Sequence, residues 1–355
     1  MKKTLATALL IAAGSTHAQS SVTVFGVLDV ALQRAQQGGV SMHRLNGAGS
    51  NQFSRIGFRG VEDLGDGLSA GFVLEAGLNM DTGAGALTSA DNLTTTGGGG
   101  MTFNRRATVS LVSKTWGELR LGRDFVPTYW NHTNFDPFGT AGAGSVNTLA
   151  QGALTRVSTV QTTVRASNTL GYFLPSLHGF YGQAMYAFAE NANATAATRK
   201  DGKYAGVRLG YAQEGLNLAV SHGVTTLNSG DVNTTSAGAS YQLGVVKAMA
   251  LVFRDSKDVV AAPNRSHGWL LGTQITLGPG YIPISYSHVK DNSASGRNAN
   301  QMAVGYVHNL SKRTTVYSTY SRLQNRNGAA LTGGGVTGVA NASWTGLDLG
   351  IRHNF

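Results

Sequence analysis

The sequence predicts an all-β fold, a single transmembrane antiparallel barrel of sixteen strands. Three observations carry this. Apolar and polar residues alternate with period two from residue 21 to the end, the signature of strands with two different faces. The alternating segments run to roughly ten residues, the length a tilted strand needs to cross a bilayer. The connections between them alternate between short and long, as in barrels with tight turns on one side and large loops on the other.

Composition agrees with a wall that meets lipid outside and water inside. Of 355 residues only 13% are charged and 41% hydrophobic, with 48 glycines, 6 prolines and no cysteine. Soluble domains carry about 25% charge. Mean hydropathy is near zero, because the two characters alternate and cancel. After the first twenty residues no apolar run is long enough for a spanning helix. Without cysteine, backbone hydrogen bonding must hold the fold.

At the N-terminus, Lys2 and Lys3 precede an apolar stretch from Leu5 to Ala13 and a small-residue site, Thr16-His17-Ala18, before Gln19. This reads as a secretory signal peptide over residues 1–18, leaving one barrel domain over 19–355. Formal charge is +10 with the signal and +8 without its two lysines. The bases are scattered rather than clustered, and the chain is exported, so nucleic acid is set aside as a partner.

The strands follow in order. Val22, Val24, Leu28, Val30 and Leu32 share one face of the first with Gly26. Leu68, Ala70, Phe72, Leu74, Ala76 and Leu78 form one face of the third, with Ser69, Gly71, Glu75, Gly77 and Asn79 opposite. At the C-terminus Leu347, Leu349, Ile351 and Phe355 oppose Asp348, Gly350, Arg352 and Asn354. The sixteen segments are 21–34, 51–63, 68–81, 102–115, 117–124, 165–174, 180–190, 203–214, 216–227, 233–243, 245–257, 265–277, 281–291, 297–309, 314–324 and 343–355. Short turns fall at 64–67, 116–117, 175–179, 214–215, 278–280 and 310–313, and long loops at 35–50, 82–101, 125–164, 191–202, 258–264 and 325–342. An even strand number puts both termini on the short-turn side, and closure leaves no strand edge unpaired in hydrocarbon. A soluble β-sandwich would show shorter strands around a continuous apolar core.

Four stretches resemble the trimeric general porins of β-proteobacteria and neisseriae: Ser21 to Asp29, Ser54 to Gly67, Leu119 to Pro127 with Phe135 to Gly139, and Gly305 to Arg313. The terminal Phe355 matches the aromatic residue read by the barrel-assembly machinery in that family. The resemblance covers essentially the whole mature chain. It implies an outer-membrane location among lipid and lipopolysaccharide, a homotrimer, and passive diffusion of small hydrophilic solutes. It also implies that the long loop at about 125–164 folds inward and constricts the pore.

In such porins acidic residues on this loop oppose a basic wall. Here the loop holds one acid, Asp136, with Asp124 just before it, and reads Asp-Pro-Phe-Gly where many relatives place a glutamate. With Ile56 and Phe58 outward, Arg55 and Arg59 point into the lumen. Val109 and Leu111 outward put Arg106 inside, whereas the family alignment also permits Arg105, and the two stay open. Arg165 opens the sixth strand, and inward Glu75 is placed to brace this cluster. An arginine ladder with few opposing acids favours small anions. Alternation turns Arg123 toward lipid with Leu119 and Leu121, which burial against a neighbouring subunit would relieve, unless a bulge re-aims the side chain. Tyr306, Tyr317 and Trp344 are candidates for interfacial girdles or ordinary strand positions.

No H-E-x-x-H, G-x-S-x-G or phosphate-cradling glycine motif is present, so neither an enzyme nor a cofactor or metal is expected. Three alternatives remain at this level: a substrate-specific channel for organic acids or phosphate, a barrel acting mainly as a surface adhesin, and an outer-membrane enzyme, for which the sequence shows no clustered catalytic constellation.

Overall fold

Period-two alternation becomes a closed antiparallel sheet in the computed structural model, which describes residues 21–86, 100–139, 141–158, 162–189, 195, 197–258 and 264–355. The signal segment expected at 1–18 lies outside the described residues, as do parts of the loops expected at 82–101, 125–164, 191–202 and 258–264. The strands are β1 (Ser21–Gln37), β2 (Val40–Asn46), β3 (Arg55–Gly65), β4 (Leu68–Gly77), β5 (Arg106–Ser113), β6 (Gly117–Phe125), β7 (Arg165–Phe173), β8 (Phe180–Ala187) and β9 (Tyr204–Gln213). They continue with β10 (Leu216–Thr225), β11 (Val232–Leu243), β12 (Val246–Lys257), β13 (Asn264–Leu277), β14 (Gly280–Asp291), β15 (Asn298–Asn309), β16 (Thr314–Arg326) and β17 (Trp344–Asn354).

Seventeen strands make sixteen staves, because β2 and β3 share one position in the wall. β2 pairs with β1 from Ala31 to Gln37, and β3 pairs with β1 from Ser21 to Val27. This corrects the expected loop at 35–50. Gly38 and Gly39, at φ +58° and +83°, make a two-residue hairpin turn there, a conformation that glycine adopts without steric cost. The chain between β2 and β3 then leaves the wall, and Ser50, Asn51 and Gln52 give their backbone N–H groups to Asp29 at 2.8–3.1 Å.

The barrel closes where β1 meets β17, from Val27 opposite Asn354 to Gln37 opposite Trp344. Gly26 and the terminal Phe355 exchange both backbone hydrogen bonds, at 3.0 and 3.1 Å. Hydrocarbon offers no partners for strand edges, so this pairing is what lets the sheet span a membrane.

The two faces separate as alternation requires. Val22, Val24, Leu32, Val109, Leu121, Val220, Val252, Leu271, Leu349 and Ile351 are exposed on the outside. Such an extended apolar surface belongs against lipid. Asp29, Gln33, Ser221, Ser236, Gln301, Thr319, Ser321 and Asp348 are buried polar residues of the inner face. Of the proposed girdle residues only Tyr306 is exposed. Trp344 is fully buried and donates its Nε1–H to the Gly334 carbonyl at 3.1 Å, and Tyr317 gives its hydroxyl to Asp29 at 2.5 Å. Both follow the inward half of the alternation.

The long connection from β6 to β7 enters the barrel and carries two helices, α1 (Tyr129–Asn134) and α2 (Asn147–Val157). Phe135 is fully buried against the wall at Gly238, where a Cβ would collide with its ring. Only glycine allows that approach. Leu149, Ala150 and Ala153 of α2 join Leu251, Phe253, Leu270 and Val289 in the largest apolar cluster. The hydrophobic core of this protein thus lies between the loop and the inner wall of β12–β14.

Candidate functional site

The inward loop is seated by polar contacts at α1, at Pro137 and at its tip. Asn131 of α1 donates to the hydroxyls of Ser221 and Ser236 at 3.1 and 3.2 Å, and its Oδ1 accepts from Arg208 Nε at 2.7 Å. Gln274 of β13 donates to the Pro137 carbonyl at 2.7 Å. At the tip the Ala143 N–H reaches Asp348 of β17 at 3.2 Å, and Gln301 of β15 donates to the Ala143 carbonyl at 2.7 Å. The loop therefore crosses the lumen from β6 to the opposite wall.

A water-accessible space of about 670 Å³ remains between loop and wall. Arg55, Glu75, Arg105 and Arg106 line it from β3 to β5, and Lys247 and Arg352 line it from β12 and β17. Trp130, Thr133, Asn134 and Pro137 form the loop side. Five bases meet two carboxylates, those of Glu75 and Asp136, around this space.

Glu75 sits between two of the arginines, 3.5 Å from Arg55 Nε and 2.5 Å from Arg105 Nε. Arg55 also donates to the Phe53 carbonyl at 2.9 Å. Arg106 meets Asp124 with two nitrogens, at 3.0 and 3.2 Å, and Arg120 reaches the same carboxylate at 2.6 Å. Of the two arginines left open by the sequence, both line this space. Arg106 is inward by alternation, and Arg105 precedes the first residue of β5, where alternation no longer governs its direction.

Arg165 stands apart from the main space. Its guanidinium carbon lies 4.5 Å from the Phe125 ring centroid, and Arg105 approaches the same ring at 5.8 Å. Arg165 lines a side cavity of about 280 Å³ with Arg105, Asn104, Asn147 and Gln151, and its Nε has no hydrogen-bond partner among the described residues. Arg59 points inward by alternation and covers the Phe25 ring at 5.3 Å. It lies outside the constricted space, four residues nearer the short-turn end of β3 than Arg55.

Two expectations change. Asp136 borders the lumen, yet its carboxylate turns into the loop and accepts the N–H groups of Phe138 and Val146 at 2.9 and 2.7 Å. Burial pushes its pKa up to about 7 against those hydrogen bonds, so it closes a turn rather than presenting a full charge to solutes. Arg123 has partners in its own chain, donating to the Asn104 carbonyl at 2.6 Å and to Ser167 at 2.8 Å. A bulge between Gly122 and Asp124 breaks the register with β7, with Gly122 at φ +123°. That bulge re-aims the side chain, and no second subunit is needed to satisfy it.

Lys247 and Arg352 escaped selection from the sequence. Arg352 was visible on the polar face of the last strand, and Lys247 lies inward by alternation with outward Val246 and Ala248. Alternation says which face a residue occupies but not its height relative to the loop.

A family model described as Gram-negative porin matches residues 5–328. The chain is 35% identical over 370 residues to outer membrane porin protein 32 of Delftia acidovorans, covering all of both chains. It is 28% identical to an outer membrane porin protein of Bordetella pertussis, again over the full length of both. Among solved structures it is similar to an anion-selective porin from Comamonas acidovorans, with 32% identity and a TM-score of 0.83, covering 95% of this chain and 100% of that one. A sixteen-stave barrel with a lipid-facing exterior, a polar lumen and an inward loop, matched over its length by these relatives, belongs to the Gram-negative porin family and is a passive channel of the outer membrane.

Proposed function

We propose that this porin passes small anions in preference to cations. One observation carries the reading. Arg55, Arg105 and Arg106 face Lys247 and Arg352 across the narrowed lumen, while among the described residues the wall carboxylates set against them are Glu75, beside Arg55 and Arg105, and the buried Asp124, shared by Arg106 and Arg120. Fixed charge in a low-dielectric wall focuses its field into the water-filled space and enriches counter-ions there. The solved porin from Comamonas acidovorans, described as anion-selective, supports the same reading. The protein acts as a channel rather than an enzyme, assembled as a homotrimer after signal-peptide removal and inserted through Phe355 into a leaflet of lipopolysaccharide. Replacing Arg106, Lys247 and Arg352 by glutamine one after another tests selectivity. The chloride-to-potassium permeability ratio should fall with each step, and a ratio unmoved by all three would refute the proposal.

A second reading rests on Arg165. Its unpartnered Nε and the neighbouring Arg105 line the side cavity of about 280 Å³, which suits a retained carboxylate or phosphate. Sub-millimolar block of chloride current by inorganic phosphate, lost in Arg165→Gln, would favour a substrate-specific channel over a general one.

A further inference from the structure

Three basic side chains stand shoulder to shoulder on the outside of the barrel. Arg254 of β12 is the register partner of His267 on β13, which is the partner of Lys290 on β14. All three are exposed. They face outward, because the flanking Phe253, Leu270 and Val289 are buried against the inward loop while Val252 and Leu271 are exposed on the lipid side. The same row continues through Asn298 to Arg326 on β16, also exposed, and Arg265 follows one outward position above His267.

This row has no counter-charge of its own. None of Arg254, His267, Lys290 and Arg326 forms an ion pair with a carboxylate among the described residues. The nearby Asp255 and Asp291 are buried on the inner face, and Asp291 already holds Arg297 at 2.8 Å. Asp258 accepts from Asn233 at 3.0 Å beyond the end of β12. Residues 259–263 contain no acid. Arg254 and Lys290 therefore hold two fixed positive charges, one on each side of His267, that are open to an anion from outside the chain.

Height identifies what that is. Lys and Arg are penalised on the lipid face at mid-bilayer and tolerated near its edge. Arg254 lies eight residues above Val246 on β12, which is roughly 20 Å along the membrane normal for a tilted strand. It is therefore at the far edge of the apolar band, on the long-loop side. At the short-turn end of the same three strands the outward positions are Val246, Ala248, Ile275, Leu277 and Ile282, with no base among them. The basic row marks one leaflet only.

The geometry points to this row as a docking site for the phosphate groups of outer-leaflet lipid headgroups, with Arg254 and Lys290 as the principal contacts. Arginine binds phosphate oxygens through two parallel N–H donors, and the lysine ammonium adds a point charge beside it. The site sits on the outside of the wall and is separate from the constriction, so it goes beyond anion selection in the pore.

The test uses folded mature protein in detergent, with bis-phosphorylated lipid A and its fully dephosphorylated counterpart as probes, read by native mass spectrometry. Wild type should retain at least tenfold more of the phosphorylated lipid, and R254Q/K290Q should lose that preference. R254K/K290R should keep it. Single-channel conductance and selectivity of R254Q/K290Q should match wild type, and Arg106→Gln should change selectivity without changing lipid retention. Equal retention of the two lipids by wild type, or unchanged preference in R254Q/K290Q, would overturn the assignment. If the double variant fails to fold, R254Q and K290Q singly make the same comparison, and unchanged preference in both would overturn the assignment.

Discussion

Ala143 at the tip of the inward loop gives its backbone N–H to Asp348 on the far wall at 3.2 Å. Gln33 donates to the other oxygen of that carboxylate at 2.8 Å, so a buried polar group of the last strand fixes the end of a forty-residue excursion across the lumen.

Asp348→Ala should free the tip and remove about 1–2 kcal/mol of local stability, the scale of one lost hydrogen bond with a buried partner left behind. Single-channel recordings should show noisier open states with a larger mean conductance. Gln301→Ala, which removes the bond to the Ala143 carbonyl, should act in the same direction. Quiet channels of unchanged conductance in both variants would mean that the apolar packing alone holds the loop.

Phe135→Ala attacks that apolar seat. The ring is fully buried against Gly238, and emptying such a site costs about 3–5 kcal/mol. A lower thermal midpoint and a loop newly open to protease should follow. Gly238→Ala should displace the ring from the other side and give the same protease sensitivity.

The loop also carries two buried groups of opposite pH behaviour. Asp136 is raised to about 7 from 3.8, and His132 is lowered to about 4 from 6.5, each chiefly by burial. Between pH 3.8 and 7 the folded loop holds a proton on Asp136 that the unfolded chain has lost, so this group destabilises the fold as pH rises. Between pH 4 and 6.5 the unfolded chain protonates His132 and the folded loop does not, so this group stabilises the fold as pH rises. The two slopes cancel across that window. Asp136→Asn should uncover the histidine, with stability dropping on the order of 3 kcal/mol from pH 6.5 to 4. His132→Asn should give the opposite trend, and melting curves over pH 4–7 check both.

Glu75 tempers the basic wall through its pairs with Arg55 and Arg105. Glu75→Gln removes the one lumen-facing carboxylate of that cluster, so the preference for chloride should increase. A decrease would show that the arginines need Glu75 more for their position than they lose to it in charge.

The barrel was largely legible because alternation reports the face of each residue directly, and a lipid exterior with a polar lumen makes that alternation strong. All sixteen expected strands lie within four residues of an observed one. What was missed is β2, an additional strand inside the expected loop at 35–50, which the Gly38-Gly39 turn pairs back onto β1. The helices α1 and α2 gave no usable signal. Thr128 makes no side-chain cap to α1, and α2 is held by packing against β12–β14 rather than by its own propensity. The inward faces of the arginine cluster were legible, and Glu75 lies 3.5 Å from Arg55 and 2.5 Å from Arg105. Its membership was less so: Arg105 lies before its strand begins, Asp136 turns into the loop, Arg123 sits on a bulge, and Lys247 and Arg352 come from strands far away in sequence.

The most direct test of the central claim is the zero-current potential of the refolded protein in a planar bilayer under a KCl gradient. The five bases around the constriction predict a clear shift toward the chloride equilibrium potential, weakening as salt rises and screens the wall. A shift toward the potassium potential would contradict the account, because the field at the constriction would then be set by acids.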